Sequence, residues 1–286
     1  MENIFGTYVD ESMFLPKYDD GNGAFSDGKR FFGMRNIFIN EYAIKDGIEV
    51  IRDNAFRDLD FLERVIIPET VKVIGDEAFA HCTNLKSIVL PESLVEIRDR
   101  AFSECNSIKS IKLPSGIKRF GSGIFSCCDS LKTAYLPQTM DTIPDEMFYS
   151  CSELKKITMP KTLNAIGDRA FAFCDFTQFD MPDTVVSIGD SAFMDCSHLK
   201  NIILSNDLRR IGDSAFANCD KLEQLVFPEK LNFIGMDAFS GTRFGNNWSP
   251  LKEDIRIEDQ GMQGDLHNEI NPFISDLIDK LDLTYE

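Results

Sequence analysis

The chain has 286 residues, of which 43% are hydrophobic and 27% charged, with a formal net charge of −17 and a pI near 4.6. That is the composition of an ordinary soluble domain, and its acidity opposes binding to a nucleic-acid backbone or an anionic lipid surface. No run of 18 apolar residues occurs, so no membrane-spanning helix is expected.

The first residues, "MENIFGTYVDESMF", carry acids and no apolar stretch of secretory length. A cytoplasmic protein is therefore the expectation. A surface or secreted protein is the alternative, should a leader have been removed from this sequence. Residues 1–37 hold no repeat. The stretch "YDDGNGAFSDGKRFF" is rich in Gly and Asp and reads as loop. From Asp20 it begins like a calcium loop. Phe25 and Phe31 fall at the sixth and twelfth positions, where such a loop needs Gly and a carboxylate, so no metal is expected there.

From residue 38 to 242 one phrase returns. Phe56, Phe79, Phe102, Phe125, Phe148, Phe171, Phe193, Phe216 and Phe239 stand 23 residues apart, save one interval of 22 between Phe171 and Phe193. Nine copies at so constant a period define a solenoid. Five residues before each Phe stands Ile, or Phe120 in one copy. Three before it, seven copies carry Asp: Asp53, Asp76, Asp99, Asp145, Asp168, Asp190 and Asp213. Three after it, seven copies carry Cys: Cys82, Cys105, Cys128, Cys151, Cys174, Cys196 and Cys219.

A phrase of the form L-x-x-I-x-L-P follows, as in Leu85, Ile88, Leu90 and Pro91. The alternation reads as a short strand with one buried face, which Pro ends because it cannot donate to a ladder. A turn follows, with Pro supplying its fixed φ. A second extended piece then runs to the Ile column. Asp is expected to cap a short helical turn carrying the Phe. The copy at Phe171 is one residue short, and keeping Phe176, Phe179, Met181 and Pro182 in phase puts the deletion in the turn after Cys174. Coils stacked at about the 5 Å strand spacing bury the Phe column only collectively.

The phrase L-x-x-I-x-L-P-x-x-V-x-x-I-G-D-x-A-F-x-x-C resembles the BspA-like leucine-rich repeat family, also called the Treponema pallidum type, over about residues 39–242. The resemblance implies a right-handed leucine-rich-repeat solenoid of about nine coils, with a parallel sheet on its concave face and short helical turns on its convex side. It also implies a surface or secreted relative that binds other proteins, in some cases an adhesin, and it brings no catalytic motif. One departure is that the Asn slot of ordinary leucine-rich repeats here holds Thr70, Ser93, Gly116, Thr139, Thr162 and Thr184.

The organisation expected is therefore an N-terminal cap (1–37), a solenoid (38–242) and a C-terminal cap, linker and amphipathic helix (243–286). Tyr42 and Ile44 open the solenoid in strand slots. Phe244 and Trp248 are expected to cover its last coil. Residues 249–266 are polar and expected to be loose. "NPFISDLIDKLDL" reads as a helix whose apolar face holds Phe273, Leu277, Ile278 and Leu281. That face either docks on the solenoid or binds a partner.

The candidate sites divide by surface. Seven cysteines share one column with parallel side chains, whose Cβ atoms at about 5 Å are too far apart for disulfides, so buried free thiols are expected. They favour a reducing compartment. His81, His198 and His267 share no column and read as solvated. "GSGIFS" at 121–126 lacks the third Gly of a phosphate loop. No catalytic constellation and no cofactor motif is present.

Outward strand positions are more informative. One line reads Arg64, Ser87, Ser110, Thr133, Lys156, Gln178, Asn201 and Gln224; the other reads Ile66, Val89, Lys112, Tyr135, Thr158, Asp180, Ile203 and Val226. Variable outward positions on an invariant scaffold suit a partner-binding face, with Lys112, Tyr135, Lys156, Thr158, Asp180 and Ile203 as its candidate residues. Lys86, Lys109, Lys132, Lys155 and Lys200 form a row at its edge. The row serves solubility by pairing with nearby acids, or it attracts an acidic partner or a sulfated glycan. The expected function is a non-enzymatic scaffold for a protein or peptide partner. The alternative is an adhesin for host matrix or carbohydrate.

Overall fold

A computed structural model describes residues 18–19, 23–34, 37–223, 225–243 and 256–257. The 23-residue period becomes one coil, and each coil contributes two short parallel strands to two separate ladders. The first ladder runs through Glu41–Ala43, Arg64–Ile66, Ser87–Val89, Ser110–Lys112, Thr133–Tyr135, Lys156–Thr158, Gln178–Asp180 and Asn201–Ile203. Where strands pair, each residue faces the one a repeat away, as in Lys112 against Tyr135 and Tyr135 against Thr158. The second ladder comprises two-residue strands ending on the Ile column, such as Val73–Ile74 and Glu96–Ile97.

The second ladder is interrupted between Arg119–Phe120 and Thr142–Ile143. In neighbouring coils the residue after the strand donates back, as Gly121 does to Ile97 O (2.8 Å) and Gly167 to Ile143 O (2.8 Å). Pro144 stands at that position and has no N–H to give.

Between the ladders lies the aromatic spine. Adjacent repeat Phe rings stack with centroids 4.7–5.9 Å apart and, outside the Phe171–Phe193 step, within 10° of parallel. Phe171 and Phe193 are tilted by 26°. This is the step with the missing residue. The turn after Cys174 is shortened, Phe176 enters the core edge-on to Phe171, and the first ladder breaks between Lys156–Thr158 and Gln178–Asp180.

The expected helical turns are absent among the described residues. The segment around each Phe is a chain of tight turns whose N–H groups cross to the next coil. Glu77, Phe79 and His81 donate to the carbonyls of Asp99, Ala101 and Ser103, each at 2.8 Å. To point these groups along the stack, residues two before and two after the Phe take positive φ, at 16 non-glycine positions among the described residues. Each costs about 1–2 kcal/mol, offset by the hydrogen bonds that these N–H groups make to the next coil. A helix would have sent the same N–H groups back within its own coil and left the stack unbonded.

The repeat's polar columns are side-chain ladders between coils. Asp does not cap a helix. Asp53 Oδ1 accepts from Asp76 N (3.0 Å), Asp76 from Asp99 N (3.0 Å), Asp168 from Asp190 N (2.8 Å) and Asp190 from Asp213 N (2.9 Å). In the slot usually held by Asn, hydroxyls bond carbonyls of the preceding coil: Thr70 to Ile48 O (2.8 Å), Ser93 to Val71 O (2.7 Å), Thr184 to Leu163 O (2.6 Å). The thiols do likewise, from Cys82 Sγ to Phe56 O (3.0 Å) through Cys219 Sγ to Phe193 O (3.1 Å). Cys suits the slot because it is small and apolar and still carries a weak donor.

The N-terminal stretch read as loop is instead a hairpin. Ala24–Ser26 pairs antiparallel with Arg30–Met34, and Asp27 turns the chain by accepting from Lys29 N (2.9 Å) and Arg30 N (2.7 Å). Asp-Gly between aromatic residues is a hairpin signal. Arg30–Met34 then pairs parallel with Val50–Ile51, and Phe31 stacks on Phe56 at 4.7 Å. Phe31 thus starts the aromatic spine from outside the repeat. At the other end, within the segment expected to be loose, Arg256–Ile257 adds a strand to Phe233–Ile234. Phe244, Trp248 and the expected helix of Phe273, Leu277, Ile278 and Leu281 lie outside the described residues.

Candidate interaction face

The three-residue strands place their middle residues inward and the flanking two outward, so the two expected outward lines are realised in register. Val65, Ile88, Ile111, Ala134, Phe179 and Ile202 are buried. Arg64, Ser87, Ser110, Lys156, Gln178 and Asn201 are exposed in one line; Lys112, Thr158 and Asp180 are exposed in the other, beside Ile66, Val89, Tyr135, Ile203 and Val226. Gln224 is outside the described residues. The second line is unusual because it leaves large apolar groups in water. Val89 is 80% exposed, Val226 71%, Ile203 59%, Ile66 51% and Tyr135 43%.

The line is ordered along the stack. Ile66 and Val89 lie toward the N-terminal end and Ile203 and Val226 toward the C-terminal end, with Lys112, Tyr135, Thr158 and Asp180 between them. In the central sheet Ser110, Thr133 and Lys156 occupy the companion line, and no carboxylate points outward from these three strands. Asp180 sits one coil further on and accepts from Gln178 Nε2 (2.8 Å). The first ladder is also interrupted between Ser87–Val89 and Ser110–Lys112. There Ile88, Val89, Leu90, Glu92, Lys112 and Pro114 line a surface depression that the sequence did not reveal.

The lysine row is mostly neutralised. Lys86 Nζ meets Glu63 (2.6 Å), Lys132 meets Glu153 (3.0 Å) and Lys155 meets Asp175 (3.0 Å). Lys109 and Lys200 have no carboxylate partner among the described residues, and neither do Lys112 and Lys156. Two histidines read as solvated face carboxylates: His81 Nδ1 lies 3.0 Å from Glu104 and His198 Nδ1 2.7 Å from Asp175.

All eight cysteines are free, and only Cys127, outside the repeat column, is less than fully buried. Burial pushes the Cys82 thiol up to about 12 and raises Cys105, Cys128, Cys151, Cys174 and Cys196 well above the ordinary thiol range. A thiolate is the reactive form, so this column is a packing device. Among the described residues no group of three or more His, Cys, Asp or Glu side chains is placed to hold a metal ion. None of them forms a helix long and apolar enough to cross a membrane.

A stacked array with an inward Leu/Ile strand, a Phe spine and an exposed parallel sheet is a leucine-rich-repeat solenoid. The sequence profile of the BspA type leucine rich repeat region matches residues 49–174 and 120–245. The chain belongs to that family. No curated protein matches it significantly. Among solved structures it is similar to the leucine rich repeat protein of T. pallidum, at 26% identity and TM-score 0.53, over 68% of this chain and 83% of that one. It is also similar to a leucine rich cell surface protein from Faecalibacterium prausnitzii, at 20% identity and TM-score 0.53, over 80% of this chain and 95% of that one.

Proposed function

We propose that this leucine-rich-repeat scaffold binds a protein or peptide partner across its exposed parallel sheet, without catalysis. One observation carries the reading. Of the ten large apolar side chains exposed among the described residues, five (Ile66, Val89, Tyr135, Ile203 and Val226) stand at one position of the repeat, the first four of them at the same place in their strands. Scattered surface apolar residues need no explanation, but alignment along one face marks an interaction surface. The reading includes a reducing compartment, supported by the column of free thiols. The adhesin alternative would use the same face outside the cell, and cell fractionation separates the two.

The test is capture of partners from lysate by the wild-type chain and by a variant carrying Tyr135→Ala, Lys112→Glu and Ile203→Asp. Circular dichroism checks that the variant keeps its fold, since all three side chains point outward. A protein bound by the wild type and lost with the variant supports the reading. An unchanged set of bound proteins overturns it.

A further inference from the structure

The face is not uniform, and its pattern narrows the chemistry of what it takes. In the central sheet, three in-register strands present Lys112, Tyr135 and Lys156, with Lys109 at the edge and hydroxyls of Ser110, Thr133 and Thr158 around them. Lys109, Lys112 and Lys156 have no carboxylate partner among the described residues, in a chain whose net charge is −17. In the row at the edge of the sheet, Lys86, Lys132 and Lys155 each meet a carboxylate of a neighbouring coil. Lys109, Lys112 and Lys156 thus gather around a half-exposed tyrosine on three strands that present no carboxylate outward.

On either side the chemistry changes. Toward the N-terminal end stand Val89 and the depression it shares with Leu90, Lys112 and Pro114. Toward the C-terminal end stand Asp180 and then Ile203. At about 5 Å per coil, Val89 and Ile203 lie about 25 Å apart, with the three lysines one to three coils from Val89. An extended peptide of about eight residues covers the distance.

We propose that the occupant is an acidic peptide segment of a partner protein, laid across the strands. Its carboxylates face Lys109, Lys112 and Lys156, and apolar side chains flank them on both sides. This deepens the function proposed above and rests on it. The flanking apolar positions favour a peptide over a nucleic acid or a sulfated glycan. Those ligands are continuous polyanions without apolar side chains for Val89 and Ile203, and they would run from the lysines onto Asp180. The depression beside Lys112 suits one apolar side chain of the peptide. Tyr135 offers a ring face and a hydroxyl at the centre, a combination common at binding hot spots.

The test measures fluorescence polarisation of a short labelled peptide whose central glutamates are flanked by leucines, with the full chain as receptor. A second probe carries glutamines for the glutamates. The expected results are a loss of about tenfold or more in affinity for the glutamine probe, a similar loss for the variant Lys109→Glu/Lys112→Glu/Lys156→Glu, and weakening as salt is raised. Lys→Gln at the same sites, checked by circular dichroism, repeats the test with a milder change.

Equal affinity for both probes, or binding unchanged in the charge variants, overturns the inference. So does heparin oligosaccharide or single-stranded DNA binding as tightly with the same lysine dependence. Residues 258–286 carry eight Asp and Glu against one Lys. If the probe binds only once these residues are removed, the chain's own segment is the occupant and the inference falls. A further variant, Val89→Asp/Ile203→Asp, separates this inference from the broader one. If capture of the lysate partner is lost there but kept in the lysine variants, the face stands and the acidic partner does not. If neither variant affects capture, both readings fall.

Discussion

Phe125→Ala tests whether the aromatic spine is the main source of stability. The ring is fully buried and lies between Phe102 at 5.5 Å and Phe148 at 5.9 Å, nearly parallel to both. Removing a buried phenyl group costs the lost transfer free energy and leaves a cavity, about 3–5 kcal/mol together. Within that sum, two ring pairs at about 0.5–1.5 kcal/mol each account for about 1–3 kcal/mol. Phe125→Leu keeps most of the apolar volume but loses the ring pairs, so its expected cost is about 1–2 kcal/mol. Urea unfolding followed by circular dichroism reads both variants. Hydrogen exchange adds location. Protection should fall in the coils of Phe102, Phe125 and Phe148 and persist around Phe56, because each coil contacts only its neighbours. A loss below about 1.5 kcal/mol for the alanine variant would refute the argument. So would a leucine variant as damaged as the alanine one, since volume would then not be the dominant quantity.

Other consequences follow from the side-chain ladders. A thiol reagent added to the folded chain should modify Cys127 alone, and all eight cysteines only after unfolding; rapid native-state reaction of more than one thiol would contradict the packing role of the column. Folding stability should also decline in alkali. Burial raises the Cys82, Cys105, Cys128, Cys151, Cys174 and Cys196 thiols above the free value of 9.0, so the folded chain holds protons that the unfolded chain releases. Their stabilisation is complete below about pH 9 and falls as pH rises above it, for Cys82 until about pH 12, by at most about 1.4 kcal/mol per thiol per pH unit. Cys151→Ala should flatten that slope in urea titrations at successive pH values. Asp168→Ala removes the acceptor for Asp190 N and should cost about 1 kcal/mol, whereas Asp168→Asn keeps an acceptor oxygen and should cost less. Equal costs in urea unfolding would show that the inter-coil bond is not what the aspartate contributes.

Much of this fold is legible in the sequence because a one-dimensional array repeats its constraints. Each coil meets the same neighbours, so Phe56 through Phe239 had to recur at the coil length, and the interval of 22 located the irregular turn after Cys174. Phe31 was missed because it lies 25 residues before Phe56, outside the period, and reaches the spine from a hairpin. The Asp column was visible but its partner was not. An aspartate before a short segment also suits a helix cap, and only the stacked geometry shows its oxygen meeting the next coil's N–H. The same holds for the lysine row. Its spacing was plain, yet whether Lys86 or Lys109 is neutralised depends on where Glu63, Glu153 and Asp175 project.

The sequence by itself determined the number of coils, the inward columns and the family, since periodic burial leaves a periodic record. It also marked which side chains point out from the sheet, because strand alternation is local. Tertiary structure decided what those side chains do together. It placed the backbone N–H groups across coils through positive φ, at the expense of the helical turns that local preference suggested. It opened the depression beside Lys112 and left Lys109, Lys112 and Lys156 without carboxylates among the described residues. These are relations between residues about a coil apart, set by stacking distance and by the breaks in the ladder, and no single repeat contains them.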